Sequence, residues 1–113
     1  MASGFQTFVG SGNLTRDAES RQVGEAEVAK YSIAINGRKD RVLFLDCEQW
    51  RPGGVLPYLL KGTSVIVQGE LELQTWEKDG QQRSKMVLSV NRLQLNGGRP
   101  KKDEVEEFAE FSR

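Results

Sequence analysis

The chain has 113 residues, the usual size of one domain, and its 16 basic and 16 acidic side chains give a formal net charge of zero. No histidine is present, which excludes Ser–His and Cys–His nucleophilic sites and, with one cysteine, the common zinc sites. A magnesium site made only of carboxylates remains open on composition, although no carboxylates converge toward one. We therefore expect a protein that is not an enzyme and that binds no metal and no cofactor.

The single cysteine, Cys47, rules out an internal disulfide and agrees with a reducing compartment. It lies in an apolar alternation, so we expect a buried, unreactive thiol. The chain contains no apolar run of about 18 residues and no basic leader followed by an apolar segment. These features predict a soluble, cytoplasmic protein with no membrane partner.

Alternating apolar side chains predict five strands, because successive residues of a strand point to opposite faces. The predicted strands are residues 5–10, 28–35, 42–50, 65–76 and 85–95. The dipeptides Asn36-Gly37 and Asp79-Gly80 predict hairpin turns, and residues 20–26 are polar and typical of a turn. The predicted core faces of the third and fourth strands are Leu43, Leu45, Cys47 and Gln49, and Val65, Val67, Gly69, Leu71, Leu73 and Thr75.

A short helix is predicted at residues 55–60, with Pro57 in its first turn and Gly62 as its left-handed stop. Five strands with one short helix between the third and fourth are the layout of an OB-fold barrel, and another small all-β barrel or sandwich is the alternative. We expect an all-β domain at residues 1–98. Residues 99–113 form an acidic tail that we expect to be disordered, since Asp103–Glu110 holds five acids and no base.

Aromatic rings interrupt the polar faces of two predicted strands. Phe44 and Trp50 share one face of the third strand, and Trp76 ends the polar face of the fourth. Such rings either cover a neighbouring subunit or loop, or they offer a flat surface to a ligand. The same faces carry the carboxylates of Asp46, Glu48, Glu70 and Glu72.

Four segments, in this order and spacing, resemble the bacterial single-stranded DNA-binding protein (SSB) family. They are Gly-Asn-Leu-Thr-Arg-Asp (12–17), Phe-Leu-Asp-Cys-Glu-Gln-Trp (44–50), Tyr-Leu-Leu-Lys-Gly (58–62) and Val-Gln-Gly-Glu-Leu (67–71), which leads to Trp76. The resemblance covers residues 6–98. It implies an OB fold that assembles as a homotetramer, with a dimer as the alternative, and that binds single-stranded DNA on the nucleoid in replication, recombination and repair.

The resemblance also implies that Phe44, Trp50 and Trp76 stack on bases, which is recognition without sequence preference. Basic side chains near these rings are the candidate phosphate contacts. They are Arg38, Lys39, Arg41, Arg51, Lys61, Lys78, Arg83 and Lys85. The chain departs from the family where Glu70 and Glu72 replace the basic residues of many relatives. Together with Asp46 and Glu48, these acids repel phosphate, so we expect modest affinity or a different DNA path.

The tail is a further departure from the family. The hairpin after the second predicted strand is another, because it is short and removes a family site for an additional stacking aromatic. Many relatives end in an acidic tip with a Pro-Phe pair that recruits partner enzymes, whereas residues 107–113 lack the proline and end in arginine. A weak docking tail for replication and repair proteins is one interpretation, and a solvated tail is the other. The alternative function is a primosomal replication-restart protein or protein-interaction module on the same fold. It ranks second because such proteins tend to lack the aromatic trio.

Overall fold

The computed structural model describes residues 4–96, which form six strands and two short 3-10 helices. The strands are β1 (Phe8–Leu14), β2 (Glu19–Val23), β3 (Ala26–Asn36), β4 (Val42–Trp50), β5 (Ser64–Lys78) and β6 (Gln81–Leu95). The 3-10 helices are Arg38–Asp40 and Gly53–Tyr58. The predicted domain end at residue 98 and the acidic tail at 99–113 lie outside the described residues.

Five of the strands close into a barrel in the order β1-β5-β6-β4-β3. The ring closes where β3 returns to β1, with Asn13 opposite Ala34 and Leu14 opposite Ile33. The β4–β6 pair is parallel, with Asp46 opposite Val87, and the other described pairs are antiparallel. This arrangement is the five-stranded OB barrel that the sequence predicts, so the all-β fold is confirmed.

The strand β2 was not predicted, because residues 20–26 look like a turn in the sequence. In the structure β2 pairs with β3 from Glu19 opposite Lys30 to Val23 opposite Ala26. All of its residues are exposed, so it has no buried face that would produce an apolar alternation. Two other boundaries also differ. The first strand runs from Phe8 to Leu14, later than predicted, and β6 begins at Gln81, earlier than predicted.

The core of the barrel is built from alternate residues of every barrel strand. Its fully buried members include Ile33, Val65, Val67 and Leu88, and the predicted core residues Leu45 and Cys47 are buried too. The prediction is wrong for Leu43 and Leu73, whose side chains are 54% and 63% exposed. For Leu73 the reason is length: β5 and β6 each have 15 residues, roughly 50 Å of strand, and run past the end of the barrel as a two-stranded ribbon. Leu43 lies at the start of β4, before the pairing of β4 with β6 begins at Asp46.

The helix between β4 and β5 is a 3-10 helix at Gly53–Tyr58, two residues earlier than the predicted α-helical turns. The helix ends where the Leu59 amide donates a hydrogen bond to the Leu56 carbonyl, and Leu59 is buried in the core. Gly62 has the expected positive φ of 89°, but it lies in the turn before β5 and does not cap the helix. Neither helix found between residues 4 and 96 is long and apolar enough to cross a membrane.

The two predicted hairpins differ in their turns. Asp79 and Gly80 both have positive φ and join β5 to β6 through a two-residue loop, as the sequence predicts. The β3–β4 hairpin also forms, but Asn36-Gly37 is not its tight turn. The loop runs from Gly37 to Arg41, which are joined by a 2.7 Å backbone hydrogen bond around the 3-10 helix Arg38–Asp40.

Candidate nucleic-acid interface

Three aromatic side chains lie on the outside of the barrel. The exposed fractions of Phe44, Trp50 and Trp76 are 67%, 45% and 43%. The residues between them in the β4 alternation, Leu45 and Cys47, are buried, so the outward position of Phe44 and Trp50 follows from the period of the strand. The rings therefore offer apolar flat surfaces to the solvent side.

The strand register places all three rings on the same side of one continuous sheet. Asp46 on β4 is opposite Val87 on β6, and Val87 is opposite Glu72 on β5, and residues paired in this way share a face. Phe44 and Trp50 have the parity of Asp46, and Trp76 has the parity of Glu72. We call this side of the β3–β4–β6–β5 sheet the aromatic face, after Phe44, Trp50 and Trp76.

The rings are spread over that face. Phe44 and Trp50 are separated by about 20 Å of strand, near the two ends of β4. Trp50 is opposite Val28, at the end of β3 that pairs with β2. Trp76 lies on the β5–β6 ribbon, opposite Arg83. The face thus offers three separate platforms, not a single aromatic cluster.

Three of the predicted phosphate contacts lie on the ribbon together with Trp76. Arg83 is opposite Trp76, Lys85 is opposite Gln74, and Lys78 has the same parity as Trp76 on β5. All three basic side chains belong to exposed residues. The structure therefore brings Lys78 and Arg83 together around Trp76, while the Lys85 ammonium lies beside Asp46 on β4.

The other predicted phosphate contacts lie in loops. Arg38, Lys39 and Arg41 are exposed in the β3–β4 loop, at the Phe44 end of β4. Arg51 directly follows Trp50, with a positive φ of 55° and its amide donating to the Glu27 carbonyl at 2.7 Å. These four bases are thus placed next to the two rings of β4.

Lys61 is not brought together with the ribbon. It lies in the turn before Ser64, at the opposite end of β5 from Trp76, roughly 40 Å away along the strand. Its backbone amide donates to the Asp17 carboxylate at 2.8 Å, which fixes the turn. A phosphate contact by Lys61 would belong to a different part of a DNA path from the contacts around Trp76.

Two of the four carboxylates on the aromatic face are paired with lysines. Lys85 Nζ lies 3.6 Å from Asp46 Oδ2, and Lys30 Nζ lies 3.7 Å from Glu48 Oε2. Glu70 and Glu72 are exposed, and no basic nitrogen within residues 4–96 lies within 4.0 Å of either carboxylate. The repulsion that the sequence predicts from four acids is therefore partly neutralised on β4 and not on β5.

A family model described as the single-strand binding protein family matches residues 5–96 of the chain. The chain belongs to this family. The single-stranded DNA-binding protein of Treponema pallidum (strain Nichols) is 41% identical over 96 residues, which cover 76% of this chain and 54% of that protein. That of Chlamydia trachomatis serovar D is 35% identical over 99 residues, which cover 81% of this chain and 63% of the relative. The chain thus spans little more than half the length of these relatives.

A solved structure confirms the fold of this SSB-family chain. The crystal structure of the small single-stranded DNA-binding protein from Streptomyces coelicolor aligns with a TM-score of 0.71. The alignment covers 83% of this chain and 96% of the other, at 17% sequence identity. At that identity the similarity establishes a common OB fold and no residue roles.

The structure places two further basic side chains on the aromatic face that are not among the predicted phosphate contacts. Lys30 is opposite Glu48 on β4, and Arg21 is opposite Val28, in the same row as Trp50. The alternation of residues 28–35 already puts Lys30 on the outward parity, so it could have been found from the sequence. Arg21 could not, because the sequence of residues 20–26 is typical of a turn and gives no strand alternation.

The buried position of Cys47 is confirmed, with 1% of its side chain exposed. Burial, and secondly the negative charge of Asp46, raise the pKa of the thiol to about 12, so that it stays protonated near neutral pH. Because the thiolate is the reactive form, Cys47 is expected to be inert. No group of three or more Cys, Asp or Glu side chains that could hold a metal ion occurs in the part of the chain that the structure describes.

Proposed function

We propose that this SSB-family chain binds single-stranded DNA without sequence preference and protects it during replication, recombination and repair. The observation that carries the proposal is the aromatic face, on which three exposed rings lie beside exposed basic side chains. Every nucleobase has a flat surface, so stacking contributes about 1–3 kcal/mol per nucleobase without reading the sequence. The protein acts by binding and is not an enzyme.

In this proposal Phe44, Trp50 and Trp76 stack on bases while basic side chains follow the phosphates. Lys78 and Arg83 serve the ribbon, Lys85 serves the junction between the ribbon and β4, and the basic loop residues Arg38, Lys39, Arg41 and Arg51 serve the two ends of β4. Lys61 extends the path toward the start of β5. Phosphate neutralisation releases counterions, so binding weakens as salt is raised.

We further propose that the protein works as a homotetramer in the cytoplasm, on the nucleoid. Replication and repair proteins would be recruited by the acidic tail. Support for the assembly and location comes from the family, whose members usually form tetramers. Support for the tail comes only from its acidic and aromatic sequence.

Tryptophan fluorescence during titration with poly(dT) tests the proposed function, because both tryptophans lie on the aromatic face. We expect strong quenching that saturates at a fixed number of nucleotides per subunit and weakens with salt. Double-stranded DNA at the same nucleotide concentration is the control, because its bases are not free to stack. An absence of quenching by poly(dT) even at low salt would overturn the proposal and favour a protein-interaction module.

A further inference from the structure

A polar depression of about 120 Å³ opens on the aromatic face. Its lining includes three bases and three acids: Arg16, Lys30 and Lys85, and Glu19, Asp46 and Glu48. Asp46 and Glu48 lie between Phe44 and Trp50 in the outward alternation of β4. The depression is therefore located between two of the three rings.

The register explains how these charges meet. Lys30 on β3 is opposite Glu48 on one side and Glu19 on the other. Lys85 reaches the depression from β6, because Val87, two residues further along the same face of β6, is opposite Asp46. Arg16 enters from the connection between β1 and β2. Three cationic side chains from three separate segments thus converge on one place.

The two lysines are held by ion pairs that can be exchanged. Their side chains are 47% and 48% exposed, at N–O distances of 3.7 and 3.6 Å from Glu48 and Asp46. Asp46 is 47% exposed, so its pair with Lys85 is a surface ion pair and contributes little to stability, about 0–1 kcal/mol, whereas Glu48 is only 16% exposed and its pair with Lys30 is partly buried. Arg16 is exposed and makes no ion pair within residues 4–96. An incoming anion can therefore displace Asp46 from Lys85 at small cost, it can share Lys30 with Glu48, and it gains Arg16 as well.

We propose that Arg16, Lys30 and Lys85 form a subsite for a backbone phosphate of the DNA segment that passes between Phe44 and Trp50. In the free protein Asp46 and Glu48 occupy the two lysines, and the phosphate competes with these carboxylates when DNA binds. The acids thus lower the affinity of a site that they also keep assembled. This inference rests on the proposed function and assigns a role to Arg16 and Lys30.

The test measures poly(dT) affinity by tryptophan quenching at several salt concentrations for Arg16→Gln and Lys30→Gln. Each variant should bind more weakly, and the slope of log K against log[salt] should become shallower by up to about 0.7, the value for one whole phosphate contact on a single strand, because the three cations share one phosphate. Lys102→Gln is the matched control, because it removes one positive charge from the tail, which the proposed function assigns to protein partners and not to DNA, and it should leave the slope unchanged. The mass and the unfolding temperature of each variant show whether fold and assembly are intact.

The replacement of carboxylates by the phosphate is tested separately with Glu48→Gln. This variant should bind poly(dT) more tightly, because Lys30 is released and a repelling charge is lost. Glu25→Gln, an exposed acid between β2 and β3, is the control and should change nothing. A fall in affinity for Glu48→Gln would contradict the proposal that Glu48 competes with the phosphate for Lys30. If the unmodified protein is quenched but Arg16→Gln and Lys30→Gln behave like Lys102→Gln, the subsite fails while the proposed function stands. Absence of quenching in the unmodified protein defeats the proposed function itself.

Discussion

At the scale of single residues, Trp50 and Trp76 each keep almost half of a large apolar side chain in water. Exposed aromatic rings on a polar face either stack on a ligand or cover another subunit. We expect Trp50→Ala and Trp76→Ala to weaken single-stranded DNA binding by about 1–3 kcal/mol each, without lowering the unfolding temperature. Fluorescence anisotropy with a labelled dT oligonucleotide measures the effect, because it does not depend on the deleted ring.

Tyr58→Ala is the matched control for these variants, since Tyr58 is similarly exposed but lies on the 3-10 helix between β4 and β5. It should leave the affinity unchanged. If a tryptophan variant loses its fold or its assembly instead, that ring belongs to the core or to a subunit interface.

The sequence predicts the outward parity of Phe44, Trp50 and Trp76, because parity depends only on counting residues along a strand. It does not predict the ion pairs of Asp46 and Glu48. These pairs depend on which residue of β3 or β6 lies across from β4, and that register is fixed by the closed barrel. This is why the acids look uniformly repulsive in the sequence, whereas in the structure two of the four are paired.

At the scale of elements, the pairing of β5 with β6 inside the barrel contains an irregularity at Gly69. The register shifts between Gln68 and Gly69, and a Cβ atom at Gly69 would overlap the carbonyl oxygen of Ser89. Because that obstacle is backbone, it cannot move aside as a side chain would. We expect Gly69→Ala to lower the free energy of unfolding by about 1–3 kcal/mol, as overpacking does elsewhere.

Chemical denaturation of Gly69→Ala against Gly54→Ala tests this expectation. Gly54 has open space around its missing Cβ and no positive φ, so alanine there should be nearly neutral. Equal stability of the two variants would show that the barrel does not need the close approach of β5 and β6 at this point.

Elements with strong local signals are predicted well, and those decided by their surroundings are not. The Asp79-Gly80 turn needs two positive φ values and its sequence suits them, whereas Asn36-Gly37 carries the same signal but is followed by a 3-10 turn that lengthens the loop. The strand β2 forms because the edge of β3 is available to it, which no pattern within residues 19–23 can reveal.

At the scale of the whole molecule, a small apolar patch lies on the β1–β5–β6 wall of the barrel. Val9 is 60% exposed and lies with Ile66 in a shallow depression of the β1–β5–β6 side. Polar side chains surround this apolar centre: Gln68, Arg92 and Gln94. An apolar centre with a polar rim is typical of protein–protein interfaces. The surface is consistent with the homotetramer that we propose.

We therefore expect light scattering to give a mass of four times 12.7 kDa. The unfolding temperature should also rise with protein concentration, because association stabilises the folded state by mass action. Val9→Glu should lower the mass, since it places a charge at the apolar centre. Val23→Glu, the same change at an exposed valine of β2, should not. A 12.7 kDa particle at micromolar concentration, with an unfolding temperature independent of concentration, would contradict the tetramer. In that case, the aromatic face of a single chain would have to account for all of the DNA binding.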